Sequence, residues 1–154
     1  MRIAIGADHA GYGLKGPLAE LLRGLGHEVV DVGAHALDPS DDFPDFAGAV
    51  AKSVASGETE RGVVVCGSGV GTSVAANKVR GVRASVCHDT YSAQQGVEHD
   101  DMNVLCLGSR VVGKELAKEL VSVFVAASFK DEERHRRRLE KVLAMEAEST
   151  GPAA

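Results

Sequence analysis

The stretch VVVCGSGVGT, residues 63–72, decides the fold. Its three valines form an apolar run of the kind found in strands that are buried on both faces. A glycine-rich turn follows directly, and the residues after it, through about Lys78, are predicted to form a helix. Alternate glycines let backbone N–H groups turn inward around an anion at the start of such a helix. Cys66 opens the turn near the positive helix end, where the reactive thiolate is favoured; a buried cysteine in a tight turn is the structural alternative.

Short apolar runs alternate with longer amphipathic segments on both sides of this stretch. The predicted strands cover residues 2–7, 28–32, 63–66, 83–87 and 104–107, and residues 38–45 (DPSDDFPD) are predicted to form an acidic, Pro-containing loop. Apolar side chains at helical spacing predict a helix between each pair of strands. Two more helices are predicted after the fifth strand, one following the other. We therefore predict an α/β fold, a three-layer α/β/α sandwich with a five-stranded parallel Rossmann-like sheet plus a C-terminal helix.

Length and composition indicate one domain, predicted over residues 1–148 of 154, with a frayed tail over residues 149–154. No apolar run approaches the ~18 residues of a membrane helix. The apolar stretch before Asp8 is too short for a signal peptide, so we expect a cytoplasmic protein. A net charge of −5 and the absence of Trp argue against nucleic-acid binding.

The three cysteines, Cys66, Cys87 and Cys106, form no CxxC pair. We therefore expect a reducing compartment, with neither a disulfide framework nor structural zinc. Cys87 and Cys106 are predicted to be small buried apolar residues.

Polar residues follow the predicted strands where each strand ends. Ligands of open parallel sheets bind beyond the carboxyl ends of the strands. Asp8 and His9 follow the first strand, Cys66 ends the third, and Arg110 follows the fifth, while His99 lies shortly before the fifth. We expect most of the chemistry at this edge. The alternatives are a helix cap with a solvated histidine for Asp8 and His9, and a helix-end histidine for His99.

Arg134 and Arg138 are four residues apart and lie on one helix face, which suits a phosphate dianion. A solvated basic stripe is the alternative. Histidine–aspartate pairs at residues 88–89 and 99–100 follow no known ligand spacing, so no metal is predicted.

Several familiar loop chemistries do not fit the glycine turn. Thr72 stands where a dinucleotide fingerprint has its third glycine, and the Walker spacing and its lysine are absent. A cysteine phosphatase needs Arg at position 72, and a receiver domain needs Asp at position 66.

Taken together, the motifs of this chain resemble the ribose-5-phosphate isomerase type B family, which includes the allose- and galactose-6-phosphate isomerases. The segments that carry the resemblance run in order through nearly the whole chain: GADHAG (6–11), DFPD (42–45), CGSGVG (66–71), AANK (75–78), YSA (91–93), His99, NVL (103–105), GSR (108–110) and RH (134–135).

The resemblance implies an aldose–ketose isomerase of the pentose phosphate pathway. It interconverts ribose 5-phosphate and ribulose 5-phosphate through a cis-enediolate, without a metal or other cofactor. It also implies a homodimer, possibly paired into a tetramer, with sites between subunits. His99, Asp100 and Arg110 are expected to come from the partner chain.

The same resemblance implies a role for each site residue. Cys66 moves the proton between C1 and C2, and His99 helps to open the furanose ring. Asp8 assists at the sugar hydroxyls, and His9 binds the phosphate. The remaining substrate-binding residues are Gly67, Ser68, Gly69, Val70, Gly71, Asp100, Arg110, Arg134 and Arg138.

Four positions depart from the family pattern, and the first three departures bear on substrate choice and rate more than on reaction type. Ser68 replaces a frequent Thr, Asp100 a usual Asn, and Phe43 and Phe46 frequent tyrosines; residues 131–133 replace a glycine-rich segment. Isomerisation of another sugar phosphate therefore stays open, with four or six carbons. From other classes, a non-catalytic sugar-phosphate sensor and a cysteine phosphatase are the alternatives.

Overall fold

The computed structural model describes residues 1–149, and most of the predicted frayed tail, residues 150–154, lies outside the described residues. Five strands and six helices alternate within the described part. The strands are β1 (Arg2–Ala7), β2 (Glu28–Asp31), β3 (Arg61–Cys66), β4 (Ala84–Val86) and β5 (Val104–Gly108). The helices are α1 (Tyr12–Gly24), α2 (Phe43–Ala55), α3 (Val70–Ala76), α4 (Thr90–Asp100), α5 (Lys114–Ala126) and α6 (Glu133–Ser149).

All strands of the sheet are parallel, in the order β2-β1-β3-β5-β4. The chain thus moves outward from β1 to β2 and then returns to the other side of β1. Ile5 pairs with Val63, and Val63 pairs with Leu105, so the central strands end at nearly the same level. The carboxyl ends of β1, β3 and β5 therefore share one edge, where open parallel sheets bind ligands.

Two hydrophobic cores cover the two faces of the sheet. On one face, Ile5 and Leu105 pack in a cluster with Leu22 of α1 and Phe124 of α5. On the other face, Val64 packs in a cluster with side chains of α2 and α3. Burial on both faces explains why the strands are continuous apolar runs. The predicted three-layer α/β/α sandwich is confirmed.

Several element boundaries differ from the prediction by one to three residues, and two of them have a clear structural reason. The acidic loop predicted over residues 38–45 ends at Asp42, because α2 already begins at Phe43. Pro44 is in the first turn, where its missing N–H has no helical partner to lose. α3 ends at Ala76, before Lys78, because the Asn77 amide bonds both the N–H and the carbonyl of Ala84. No helix in residues 1–149 combines the length and the apolar character needed to cross a membrane.

Gly11 allows α1 to start close against β3. A Cβ atom at Gly11 would collide with the Val65 carbonyl and lie 2.8 Å from the Val65 Cβ. In contrast, a Cβ atom at Gly16, inside α1, would meet nothing within 4 Å. Only the first glycine is therefore required by packing.

We expect Gly11→Ala to lower the free energy of unfolding by about 1–3 kcal/mol, the usual cost of forcing atoms into a packed core. Gly16→Ala is the matched control and should raise it by about 0.5–1 kcal/mol, because alanine restricts the unfolded helix segment. Urea unfolding at one fixed protein concentration measures both. Equal effects of the two variants would contradict this account of α1.

Candidate active site

A cavity of about 360 Å³ lies at the shared edge of β1, β3 and β5. Residues at or just after the ends of all three strands line it, together with Phe43 of α2 and Gly71 of α3. The lining residues are Asp8, His9, Ala10, Phe43, Cys66, Gly67, Ser68, Gly71, Arg110 and Val111. The cavity thus brings seven of the sequence-predicted site residues together.

Cys66 ends β3 and is only 4% exposed, yet its side chain borders this cavity. The backbone N–H of Gly69 donates to the Cys66 Sγ at 3.1 Å. The Thr72 Oγ1 lies 3.5 Å from the same sulfur and donates to the Gly69 carbonyl at 3.0 Å. The loop therefore holds the sulfur in position at the edge of the cavity.

Glycine is required at position 69 for two reasons. Gly69 has φ of 79°, in the left-handed region that side chains rarely adopt. A Cβ atom there would also lie 3.0 Å from the Leu107 carbonyl carbon. At the sequence level, Thr72 served only to exclude the dinucleotide and cysteine phosphatase motifs, and its contact with Cys66 was missed.

The turn after β5 fastens the glycine loop. The Ser109 N–H donates to the Cys66 carbonyl at 2.8 Å, and the Arg110 N–H donates to the Gly67 carbonyl at 3.0 Å. The Arg110 guanidinium lies beside Gly67, where a Cβ atom would be 3.5 Å from Nη1. Arg110 lines the Cys66 cavity of its own chain, and its expected contribution to the partner's site stays a prediction.

Asp8 and His9, which follow β1, also line the Cys66 cavity. The Asp8 Oδ1 accepts the Gly11 N–H at 3.0 Å, which fixes the turn into α1. The His9 Nδ1 lies 2.7 Å from the Asp41 Oδ1, and the His9 backbone N–H donates to the same oxygen at 2.9 Å. The hydrogen bond to Asp41 raises the pKa of His9, and the nearby Asp8 charge adds to this effect.

Asp41 was missed at the sequence level, where its segment was interpreted only as an acidic loop. No sequence signal identifies it, since three neighbouring acids, Asp38, Asp42 and Asp45, have the same local character.

Asp8, His9 and Asp41 place possible metal-ligand atoms within 4.8 Å of one another. However, the Asp41 Oδ1 is already bonded to His9, and the Asp8 Oδ1 to Gly11. These bonds explain the cluster as an ion pair beside a turn, and we assign no metal to it. The metal-free reaction stays a prediction.

Of the other six predicted residues, Gly69 and Val70 continue the glycine loop, and His99, Asp100, Arg134 and Arg138 lie on α4 and α6. The His99 ring stacks on the ring of His135 from α6, with centroids 4.1 Å apart. Asp100 and Arg138 line a larger cavity of about 680 Å³ between β4, α4 and α6. Arg134 is paired with Glu132 at 3.0 Å. Within residues 1–149, none of His99, Asp100, Arg134 and Arg138 lines the Cys66 cavity.

Cys87 and Cys106 are buried, as predicted. Burial raises the pKa of the Cys87 thiol and raises the pKa of the Cys106 thiol to about 12. Both therefore stay protonated near neutral pH, which leaves Cys66 as the thiol suited to act as a base.

Comparison with known proteins gives a consistent result. A model of the ribose/galactose isomerase family matches residues 3–142. The chain is 46% identical to ribose-5-phosphate isomerase B of Escherichia coli K12 over 145 residues, which cover 94% of this chain and 96% of that protein.

Two solved structures share the fold over nearly their whole length. Ribose-5-phosphate isomerase B of Clostridium thermocellum superposes with a TM-score of 0.93 at 47% identity, covering 97% of this chain and 100% of that chain. The enzyme of Mycoplasma genitalium, solved with bound ribulose-5-phosphate, gives a TM-score of 0.91 at 40% identity, covering 96% and 97%. The chain belongs to the ribose/galactose isomerase family.

Proposed function

We propose that this protein is an aldose–ketose isomerase that interconverts ribose 5-phosphate and ribulose 5-phosphate. The observation that carries the proposal is the position of Cys66, whose sulfur accepts the Gly69 backbone N–H and borders the cavity that Asp8, His9 and Arg110 also line. The names of the similar enzymes and the ribulose-5-phosphate in one of them support the same substrate. The cytoplasmic location and the pentose phosphate pathway stay predictions.

The reaction moves one proton between two adjacent carbons. In open-chain ribose 5-phosphate, the Cys66 thiolate removes the proton from C2, and the electron pair forms the C1–C2 double bond while negative charge develops on O1. The thiol then returns the proton to C1 while the proton of the O2 hydroxyl passes to O1, which yields the C2 ketone and the C1 hydroxyl. The Gly69 and Val70 N–H groups are already bonded to the Cys66 Sγ and the Ser68 Oγ, so the other backbone N–H groups of residues 67–71 stabilise the enediolate oxygens. One such donor is worth about 3 kcal/mol in comparable sites.

The phosphate anchors the far end of the sugar. A protonated His9 and Arg110 lie in the same cavity as Cys66 and supply positive charge for a dianion. Binding energy from this remote group positions C1 and C2 for proton transfer, which is the most effective use of such energy. Asp8 is within the same cavity for the sugar hydroxyls.

A second copy of the chain completes the site in this proposal. One chain separates the Cys66 cavity from His99, Asp100, Arg134 and Arg138, although both groups are needed for ring opening and phosphate binding. A homodimer with sites between subunits brings the two groups together. In such a dimer the Cys66 cavity of each chain faces the α4 and α6 residues of its partner.

We expect Cys66→Ala to lower the turnover of ribose 5-phosphate by roughly 10²- to 10⁴-fold, the usual contribution of a general base. Cys87→Ala removes another buried thiol and should retain turnover. Ribulose 5-phosphate formation, measured with EDTA present, tests the base and the metal-free reaction together.

Three other outcomes of this assay would each contradict one part of the proposal. Turnover that survives Cys66→Ala means that another group is the base. Turnover lost to EDTA in the wild type means that a metal takes part. An inactive wild type directs the search to allose 6-phosphate, galactose 6-phosphate and tetrose phosphates, then to binding without turnover and to phosphate release.

Thiol chemistry gives an independent prediction. At pH 8, iodoacetamide should modify Cys66 well before Cys87 and Cys106, because burial keeps the latter two protonated. Ribose 5-phosphate should slow modification of Cys66 only. Peptide mass spectrometry over time measures the three rates, and equal rates for Cys66 and Cys87 would contradict the assignment.

A further inference from the structure

One carboxylate oxygen ties the loop of residues 38–42 to the substrate cavity. The Asp41 Oδ1 accepts the backbone N–H of His9 at 2.9 Å and lies 2.7 Å from Nδ1 of the same ring. The Asp41 side chain is 11% exposed, whereas the His9 side chain is 36% exposed and lines the cavity. A largely buried acid therefore holds both the backbone and the ring of His9.

This contact determines which ring nitrogen must carry a proton. An ionised carboxylate only accepts hydrogen bonds, so the His9 Nδ1 donates to it. Nε2 is then the nitrogen left for a ligand, and it can donate only when the ring is protonated at both nitrogens. Phosphate oxygens are acceptors, so a neutral ring would turn a lone pair toward them, whereas a cationic ring would offer an N–H and a charge.

We propose that Asp41 is a positioning residue for phosphate binding, which orients the His9 ring and keeps it cationic so that Nε2–H donates to the substrate phosphate. This inference rests on the proposed function, because that function supplies the phosphate.

The charges around His9 support a cationic ring, with one exception. The hydrogen bond to Asp41 is the largest influence that raises the pKa of His9, and the charges of Asp8 and Asp41 add to it, while partial burial opposes it. Asp38 also interacts with His9 through charge, and Arg110 acts in the opposite direction as a cation on the same cavity. The titratable or charged groups near His9 are Asp8, Asp38, Asp41, Cys66 and Arg110.

The effect of Asp41 should depend on pH in one direction. Since Asp41 raises the pKa of His9, the wild-type ring keeps its charge to a higher pH than a ring without this partner. Below about pH 6 both rings are largely protonated, so the effect of Asp41 on phosphate affinity is small. Above that pH the ring without Asp41 loses its charge first. The second ionisation of the phosphate itself affects both proteins equally and cancels in their ratio.

Asp41→Asn tests this inference, because it keeps an oxygen that can accept the His9 backbone N–H but removes the charge. Asp42→Asn is the matched control, since Asp42 is the next residue, is exposed and makes no capping hydrogen bond with its side chain. KM and kcat for ribose 5-phosphate are measured between pH 5.5 and 8.5. The His9 ring is titrated by NMR in each protein, with its signal assigned through His9→Asn.

We expect Asp41→Asn to raise KM at pH 8 by up to roughly tenfold for each pH unit that separates the two His9 titration midpoints. KM at pH 5.5 should match the wild type, KM should change more than kcat, and the His9 midpoint should move to lower pH. Asp42→Asn should leave all of these values near those of the wild type.

Two results would overturn the inference. An unchanged His9 midpoint means that Asp41 does not control the ring charge, and a KM increase of equal size at every pH means that Asp41 only shapes the loop.

If the wild type does not isomerise ribose 5-phosphate, the proposed function fails separately. Inorganic phosphate, titrated against the same His9 signal, then decides: weaker binding by Asp41→Asn at pH 8 but not at pH 5.5 supports the inference, and equal binding at both contradicts it.

Discussion

The site depends on the close contact between the turns that follow β3 and β5. The glycine loop after Cys66 is bonded to Ser109 and Arg110, and a Cβ atom at Gly108 would lie 2.6 Å from the Ser68 carbonyl. Only glycine allows this approach. Because the two strands are parallel and in register, the contact fixes a thiol and a guanidinium on the same small cavity. The chemical proposal follows from this backbone constraint.

Much of this arrangement was predictable from the sequence. Continuous apolar strands such as residues 63–65 predict a covered parallel sheet, and that sheet places Asp8, Cys66 and Arg110 at one edge. The Asp41–His9 bond was not predictable, because it depends on how a loop without local pattern folds over β1. Sequence order also does not tell which chain's cavity the Arg110 side chain enters, and the structure places it at the Cys66 cavity of its own chain.

The division of the remaining site residues has a physical reason in the fold. His99 is held on α4 by its stack on His135, whose side chain is buried, and the ring is therefore fixed outside the Cys66 cavity of the same chain. In our proposal, two rigid surfaces of different copies enclose the sugar phosphate. Such a site excludes water better than one open cavity and strengthens the electrostatic stabilisation of the enediolate.

Subunit mixing tests the central claim that Cys66 of one chain and His99 of another act on one sugar. Cys66→Ala and His99→Asn, each inactive as a pure protein, are co-expressed with different tags, and activity is measured on the mixture. Random pairing gives heterodimers with one intact site, so the account predicts roughly a quarter of wild-type activity, all of it in the doubly tagged fraction. Folded heterodimers without activity would contradict the claim, because both residues would then have to come from one chain.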